Sequence, residues 1–307
     1  MEFHVLLTGR LGNQLFQYAI AKYLQKEYGG KIHLNQFDLI HRSGDRKKVS
    51  SSAFKYEMAE FELDNDVKLE DVKMPWFADL SHPLIRVAKK IAPKFLFSTM
   101  AKRGYLLWQR SDYIQIPNLK CDSVFIHGYW QDIKYLEGIQ KELSKKITPT
   151  ATVPLKNKYL YDLAEKPGSV CISIRGGNYL NQGIKQSLFV CDRNYFIHSI
   201  RKMDEYVHNP TYIVFSDDLK WVKDYICLEK EFPEKSFYFE DGTDTVSEKI
   251  RLMSRCENFI ISNSSFSWWA QYLSVRKEKK VIAPNKWFTD GRKCGLYMDN
   301  WILVEVD

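Results

Sequence analysis

From about residue 170 onward, short apolar runs alternate with stretches in which apolar residues recur at helical spacing. The runs predict strands over 170–175, 212–216, 236–241, 258–262 and 280–284, and the intervening periodicity predicts helices over 194–207, 219–226, 246–256 and 265–275. That alternation is the rhythm of a parallel sheet with crossover helices, so a Rossmann-like α/β domain is expected. The first half opens in the same way. A strand over 3–8 runs into a glycine-bounded turn over 9–12, a helix over 13–28 and a strand over 31–35, with a further strand over 123–129. Segment 147–155 carries Pro149 and Pro154 and little periodicity, and reads as a linker between a domain over 1–150 and one over 151–307.

Ligands of open parallel sheets sit beyond the carboxyl ends of the strands. In the second domain those ends carry Arg175, Asp217 with Asp218, Asp241, and Asn263-Ser264-Ser265. One cation, several acceptors and a group of hydroxyl and amide donors on one edge suit a nucleotide better than an apolar ligand. In Ile260-Ile261-Ser262-Asn263-Ser264-Ser265-Phe266-Ser267-Trp268-Trp269 an apolar strand passes straight into residues that cap helices. The N–H groups and dipole of such a helix start can hold a phosphate.

With 307 residues, 45% hydrophobic and 27% charged, the chain has the composition of an ordinary globular protein of two domains. No apolar run reaches membrane-spanning length and the start does not read as a signal peptide, so a cytoplasmic location is expected. Cys121, Cys171, Cys191, Cys227, Cys256 and Cys294 are widely spaced, which favours free thiols over a disulfide or zinc framework. A net charge of +7 suits several anionic partners, but no nucleic-acid-binding module focuses it, and none is expected. Between Leu80 and Ser111 there is no acid, while Arg86, Lys89, Lys90, Lys94, Lys102, Arg103 and Arg110 are interleaved with apolar residues. Such a stretch is either a solvated helical insertion or a surface for an anionic membrane.

Three segments together go further. Gly9-Arg10-Leu11-Gly12-Asn13-Gln14-Leu15-Phe16-Gln17-Tyr18-Ala19, Ser173-Ile174-Arg175-Gly176-Gly177-Asn178-Tyr179 and Asn263-Ser264-Ser265-Phe266-Ser267-Trp268-Trp269 resemble, in order and spacing, the motifs of glycosyltransferase family 11, the α-1,2-fucosyltransferases. His127-Gly128-Tyr129-Trp130-Gln131 and Phe215-Ser216-Asp217-Asp218 resemble further family segments. The resemblance implies a GT-B-like fold, two Rossmann-like domains facing across a cleft, the first on the acceptor side and the second holding GDP-fucose. It also implies inverting transfer of fucose from GDP-β-L-fucose to O2 of a galactose-containing glycan, without a metal or other cofactor. A bacterial enzyme of surface-polysaccharide synthesis, acting on a lipid-linked acceptor at the inner face of the membrane, is the expected setting.

The same resemblance assigns roles. Arg175 matches the arginine that grips the departing diphosphate, and its planar fork suits two phosphate oxygens. The family pattern His-x-Arg-Arg-Gly-Asp is broken, because Ser173, Gly176 and Asn178 replace the histidine, second arginine and aspartate. Lys185, Arg193, Lys249 or Arg251 are candidates for the missing cation. Gly12, Asn13 and Gln14 are expected at the turn into the first helix, facing the donor, with Asn13 beside Arg175 in the catalytic pair. Ser262, Asn263, Ser264, Ser265 and Ser267 are expected to cap their helix and contact the diphosphate, with Trp268 and Trp269 in the core. Asp217 and Asp218 contact the nucleoside or cap the next helix, and Glu248, one position before the family's usual acid, is a candidate for the guanine edge. Inversion needs a base for the attacking hydroxyl, which stays unassigned between Asp38 and Asp132.

Two other readings stay open. Asp64-Asn65-Asp66 has the D-x-D spacing of a metal-assisted sugar-nucleotide site. Loss of the second arginine would also suit another donor, or a non-catalytic relative that binds sugar nucleotide or glycan without transfer.

Overall fold

The computed structural model describes residues 1–41, 54–177 and 187–306. The chain divides into two compact units, one of Met1–Lys146 with Cys294–Leu296, the other of Ile147–Lys293 with Tyr297–Asp307. Each is built on its own parallel sheet.

In the N-terminal unit the sheet order is β3-β2-β1-β5-β4, with β1 Glu2–Leu6, β2 Lys31–Asn35, β3 Val67–Glu70, β4 Tyr105–Trp108 and β5 Ser123–Gly128. Every pairing is parallel. The direction of winding reverses between β1 and β5, which makes their carboxyl ends the switch point of the sheet. Helix α1, Leu11–Tyr28, starts two residues earlier than its periodicity suggests, so Gly12 lies in the first helical turn and the tight turn is carried by Gly9 at φ 75°. Gly29, at φ 66°, ends the helix with its N–H on the carbonyl of Gln25. The basic stretch after Leu80 forms α2, Pro83–Ile91, and α3, Pro93–Ala101, each opened by a proline at its first position, and then strand β4. Strands β3 and β4 escape a pattern search. β3 is short with half of its positions exposed, and β4 is only four residues long.

In the C-terminal unit the order is β11-β10-β9-β6-β7-β8, with β6 Ser169–Ile174, β7 Thr211–Ser216, β8 Phe237–Phe239, β9 Asn258–Ile261, β10 Val281–Pro284 and β11 Ile302–Val304. Read from the other edge this is the doubly wound dinucleotide-binding order, with its switch point between β6 and β9. All six residues of β6 and all four of β9 are buried, as strands covered on both faces must be. The helix expected over 219–226 is instead a three-residue turn, Leu219–Trp221, followed by the π-helical Val222–Ile226 and stopped by Cys227 at φ 55°. Helix Ser265–Leu273 lays Trp268 and Trp269, both 0% exposed, into the core, with Trp268 stacked on Tyr272 at 4.7 Å. Truncating either tryptophan would cost about 3–5 kcal/mol.

Candidate active site

Arg175 follows β6 directly, at the switch point of the C-terminal sheet. Its guanidinium lies 2.6 Å from a carboxylate oxygen of Asp217, which follows β7, and the other oxygen of Asp217 accepts from the N–H of Gly176 at 3.0 Å. Neighbouring strand ends are thereby latched, and the arginine fork is held in one orientation. The latch depends on missing side chains. A Cβ on Gly177 would fall 2.2 Å from the Asp217 carboxylate, and one on Gly176 would fall 2.6 Å from the ring of Trp221. Trp221 thus fills the space beside the position where the family has its second arginine.

On the other side of β6, Ser262 follows β9 and is fully buried. Its hydroxyl donates to the carbonyl of Ser173 at 2.7 Å and accepts from the N–H of Arg175 at 2.9 Å. The hydroxyl of Ser267 meets that of Ser173 at 2.7 Å, where the family pattern has histidine. Asn263 turns its amide away from the helix start and donates to the carbonyls of Leu188 and Trp287, each at 2.8 Å. Ser264 occupies the N-cap but its side chain makes no capping hydrogen bond. The serine cluster therefore departs from the expected cap. Ser262, Asn263 and Ser267 brace the strand ends that carry Arg175, and Ser264 with Ser265 forms the entry to the helix.

Asp218 caps the next turn by accepting from the N–H of Trp221 at 2.9 Å, the second of its two expected roles. Glu248 is 5% exposed and its carboxylate is occupied by Asn157 at 3.1 Å, by the hydroxyl of Tyr161 at 3.1 Å and by Arg251 at 2.8 Å. This inward brace leaves Glu248 little capacity for a guanine edge. Of the candidate replacement cations, Arg251 is tied to Glu248 and to the carbonyl of Pro149 at 3.3 Å, Lys249 pairs with Glu240 at 3.1 Å and Arg193 with Glu231 at 2.7 Å. Lys185, like Asn178 and Tyr179 of the arginine motif, lies outside the described residues.

In the N-terminal unit, Gln14 is completely buried and acts as a brace. Its amide donates to the carbonyls of Gly9 at 2.9 Å and Lys55 at 2.7 Å and accepts from the N–H of Glu57 at 3.0 Å. That places the Glu57 carboxylate on the N–H of Leu11, where it complements the positive end of α1. Buried Gly12 and half-buried Asn13 share this first turn, and Asn13 accepts from the amide of Gln131 at 2.9 Å. Gln17, another motif residue, ties Thr8 after β1 to the carbonyl of Gly128 at the end of β5. Its role was not foreseen, although its place three residues beyond Gln14 on one helix face was a usable signal.

A cavity of about 240 Å³ opens at this second switch point, between Thr8 and Gly128. Asp38, Arg86, Lys89 and Gln109 contribute to its wall, with His127 and Tyr129 of the β5 segment. Asp132, the other carboxylate considered as base, is 6% exposed and accepts from the N–H of Lys134 at 3.0 Å. Gly295 lies against it, so closely that a Cβ there would fall 1.9 Å from its carboxylate oxygen.

Acidic and histidine side chains also gather into clusters. Asp64 of the D-x-D segment sits between Lys22 and Lys146, each at 2.8 Å; burial pushes its carboxyl up, yet the two ammoniums hold it below the usual range. Asp66 accepts from Gln25. His4, His33 and Glu70 lie together on β1, β2 and β3, but the two imidazoles are stacked at 4.7 Å and 20°, and the in-plane lone pairs of nearly parallel rings do not converge. Glu240, Asp241 and Asp244 are paired with Lys249 and Lys156.

Two Rossmann-like parallel sheets, each with charged and amide side chains at its switch point, place the chain in the GT-B-like class of glycosyltransferase folds. The NodZ α-1,6-fucosyltransferase soaked with GDP-fucose superposes with a TM-score of 0.53 at 12% identity, over 92% of this chain and 94% of that one. Fucosyltransferase NodZ from Bradyrhizobium gives 0.51 at 12% identity, over 88% and 92%. The likeness to these is one of fold. The chain belongs to glycosyl transferase family 11, whose model matches residues 2–305. It is 30% identical over 285 residues to the α-1,2-colitosyltransferase of Escherichia coli, covering 92% of this chain and 91% of that protein. It is 25% identical over 311 residues to the Escherichia coli O-antigen biosynthesis glycosyltransferase WbnK, covering 96% and 98%.

Proposed function

We propose that this glycosyltransferase moves L-fucose from GDP-β-L-fucose to O2 of a galactose-like terminus with inversion and without a metal, in the synthesis of a bacterial O-antigen or capsule. The observation that carries the reading is Arg175, aimed by Asp217 at the switch point of the C-terminal sheet, beside the entry to the Ser265–Leu273 helix. Breaking the sugar–phosphate bond leaves GDP with added negative charge while the sugar becomes oxocarbenium-like. A guanidinium and a helix N-terminus supply the compensating charge in place of a divalent ion. The acceptor hydroxyl forms the new bond to C1, the C1–O bond to phosphate breaks with its electron pair leaving on GDP, and the hydroxyl proton passes to a carboxylate. We assign that carboxylate to Asp38, which lines the N-terminal cavity, over Asp132, which is packed under Gly295.

A second reading concerns the donor. The similarity to a colitosyltransferase, together with Gly176 in place of the second arginine, favours a different GDP-linked deoxy sugar in the same site. Incubation with GDP-fucose and a galactoside, with and without EDTA, followed by mass spectrometry, tests the proposal. A fucosylated product that survives EDTA supports it in full. Product only with another GDP-deoxy sugar moves the donor, and GDP binding without any product means a non-catalytic relative. Thermal shifts with GDP, UDP, dTDP and CMP should rank GDP first.

Among the described residues no helix is long and apolar enough to cross a membrane. Leu84, Val87 and Ile91 nevertheless form an exposed stripe on α2 that continues to Phe95, with Lys90 and Lys94 beside it. That face suits peripheral docking on an anionic inner leaflet, and co-sedimentation with anionic vesicles tests it.

A further inference from the structure

We propose that the cavity of the N-terminal unit is the acceptor site and that Arg86 and Lys89 make it select a saccharide carrying an anionic group. The inference rests on the transferase reading above and adds the chemistry of the acceptor. The cavity lies at the β1/β5 switch point, where open parallel sheets place their ligands. At about 240 Å³ it is smaller than the ~300–1,000 Å³ of sites for drug-sized ligands, so it suits a sugar ring rather than a whole nucleotide sugar. Its polar wall, with Thr8, Tyr129, Gln109 and Asp38, supplies the donors and acceptors that a hexose needs.

A neutral galactoside has no use for two cations. Arg86 and Lys89 stand one turn apart on α2 and both line the cavity, where like charges repel. Among the described residues neither is ion-paired with a carboxylate, and Lys89 donates to the neutral amide of Gln109. Burial, and then the neighbouring Arg86, hold the Lys89 ammonium below its ordinary range. An anion seated between the two would relieve both effects, and Asp38 on the same wall leaves the lining with a net positive charge. The anion is the carboxylate of a uronic acid or a phosphate ester on the glycan.

Calorimetry on the whole chain without donor separates these, using methyl β-galactopyranoside, its uronate and its 6-phosphate. One of the two charged probes should bind at least about tenfold more tightly than the neutral one, and the advantage should shrink as salt is raised. Arg86→Gln and Lys89→Gln should each erase most of the advantage of the charged probe over the neutral one, and Arg86→Lys and Lys89→Arg should keep it. Equal affinity for all three probes, no binding of any, or an advantage that survives both glutamine variants overturns the inference. A thermal shift with GDP on the same proteins reports folding and tests the donor reading separately. A wild-type chain that ignores GDP but prefers the charged galactoside would sink the transferase reading alone.

Discussion

The guanidinium of Arg175 and the carboxylate of Asp217 meet at 2.6 Å across the ends of adjacent parallel strands, and the second oxygen of that carboxylate holds the N–H of Gly176. One acid thus holds both the guanidinium and the backbone turn that follows it. Removing the guanidinium should remove transition-state stabilisation. We expect Arg175→Ala to lower kcat by about 10²–10³ with the fold intact, the scale seen when one such donor is lost. Asp217→Asn should fall between Arg175→Ala and wild type, because the fork stays present but loses its aim. Steady-state kinetics with GDP-fucose, or with whichever GDP-sugar proves to be the donor, decides. Near-normal turnover of Arg175→Ala would remove it from the site.

Restoring the family's second arginine should not rescue a weak donor grip. A side chain at Gly176 must displace the ring of Trp221, which a Cβ would approach to 2.6 Å. Gly176→Arg should therefore lower both thermal stability and activity, whereas Gly176→Arg with Trp221→Ala should recover folding. Comparing the Tm of the two variants checks this.

The Arg251–Glu248 pair is buried and helps tie segment 149–152 to helix Val246–Met253. Replacing one partner leaves the other as an uncompensated buried charge. Arg251→Met should destabilise the C-terminal unit by about 3–5 kcal/mol in urea unfolding, and the double variant with Glu248→Leu should recover much of the loss.

Lys279 is half-buried, donates to the carbonyl of Ser274 at 3.1 Å, and is lowered by burial to about 8. Its folded value lies below the 10.5 of the unfolded chain. The unfolded state then binds more protons between these two values, so this lysine's contribution to stability rises as pH climbs from about 8 toward 10.5. Urea midpoints of the wild type and Lys279→Gln, compared at pH 7.5 and 9.5, should shift in favour of the wild type at the higher pH.

Assignment of Asp38 as base predicts that Asp38→Asn lowers kcat by about 10²–10⁴ with little change in the affinity for GDP. An undiminished rate would return the base to the unassigned state.

The apolar runs over 170–175, 212–216, 258–262 and 280–284 lie within a residue or so of strands β6, β7, β9 and β10, because strands buried on both faces leave an uninterrupted hydrophobic mark. Weakly patterned elements did not show. β3 exposes Lys68 and Leu69, and the turn at Leu219–Ile226 changes its helical winding around Trp221 and Cys227. Motif residues were legible as a set but not in their roles. Gln14, Ser262, Asn263, Ser267 and Glu248 are polar groups at strand and helix ends, where either a ligand or the protein's own groups satisfy them, and their partners Lys55, Ser173, Trp287 and Tyr161 are distant in sequence.

The chain by itself therefore determined two parallel-sheet units and the residues gathered at their strand ends, since hydrophobic period and helix-start chemistry are local properties. Tertiary structure alone decided which of those residues are bound inward, that Asp217 aims Arg175, and that Arg86, Lys89 and Asp38 share one cavity. Those outcomes depend on strand order, and strand order is set by packing between segments far apart along the chain.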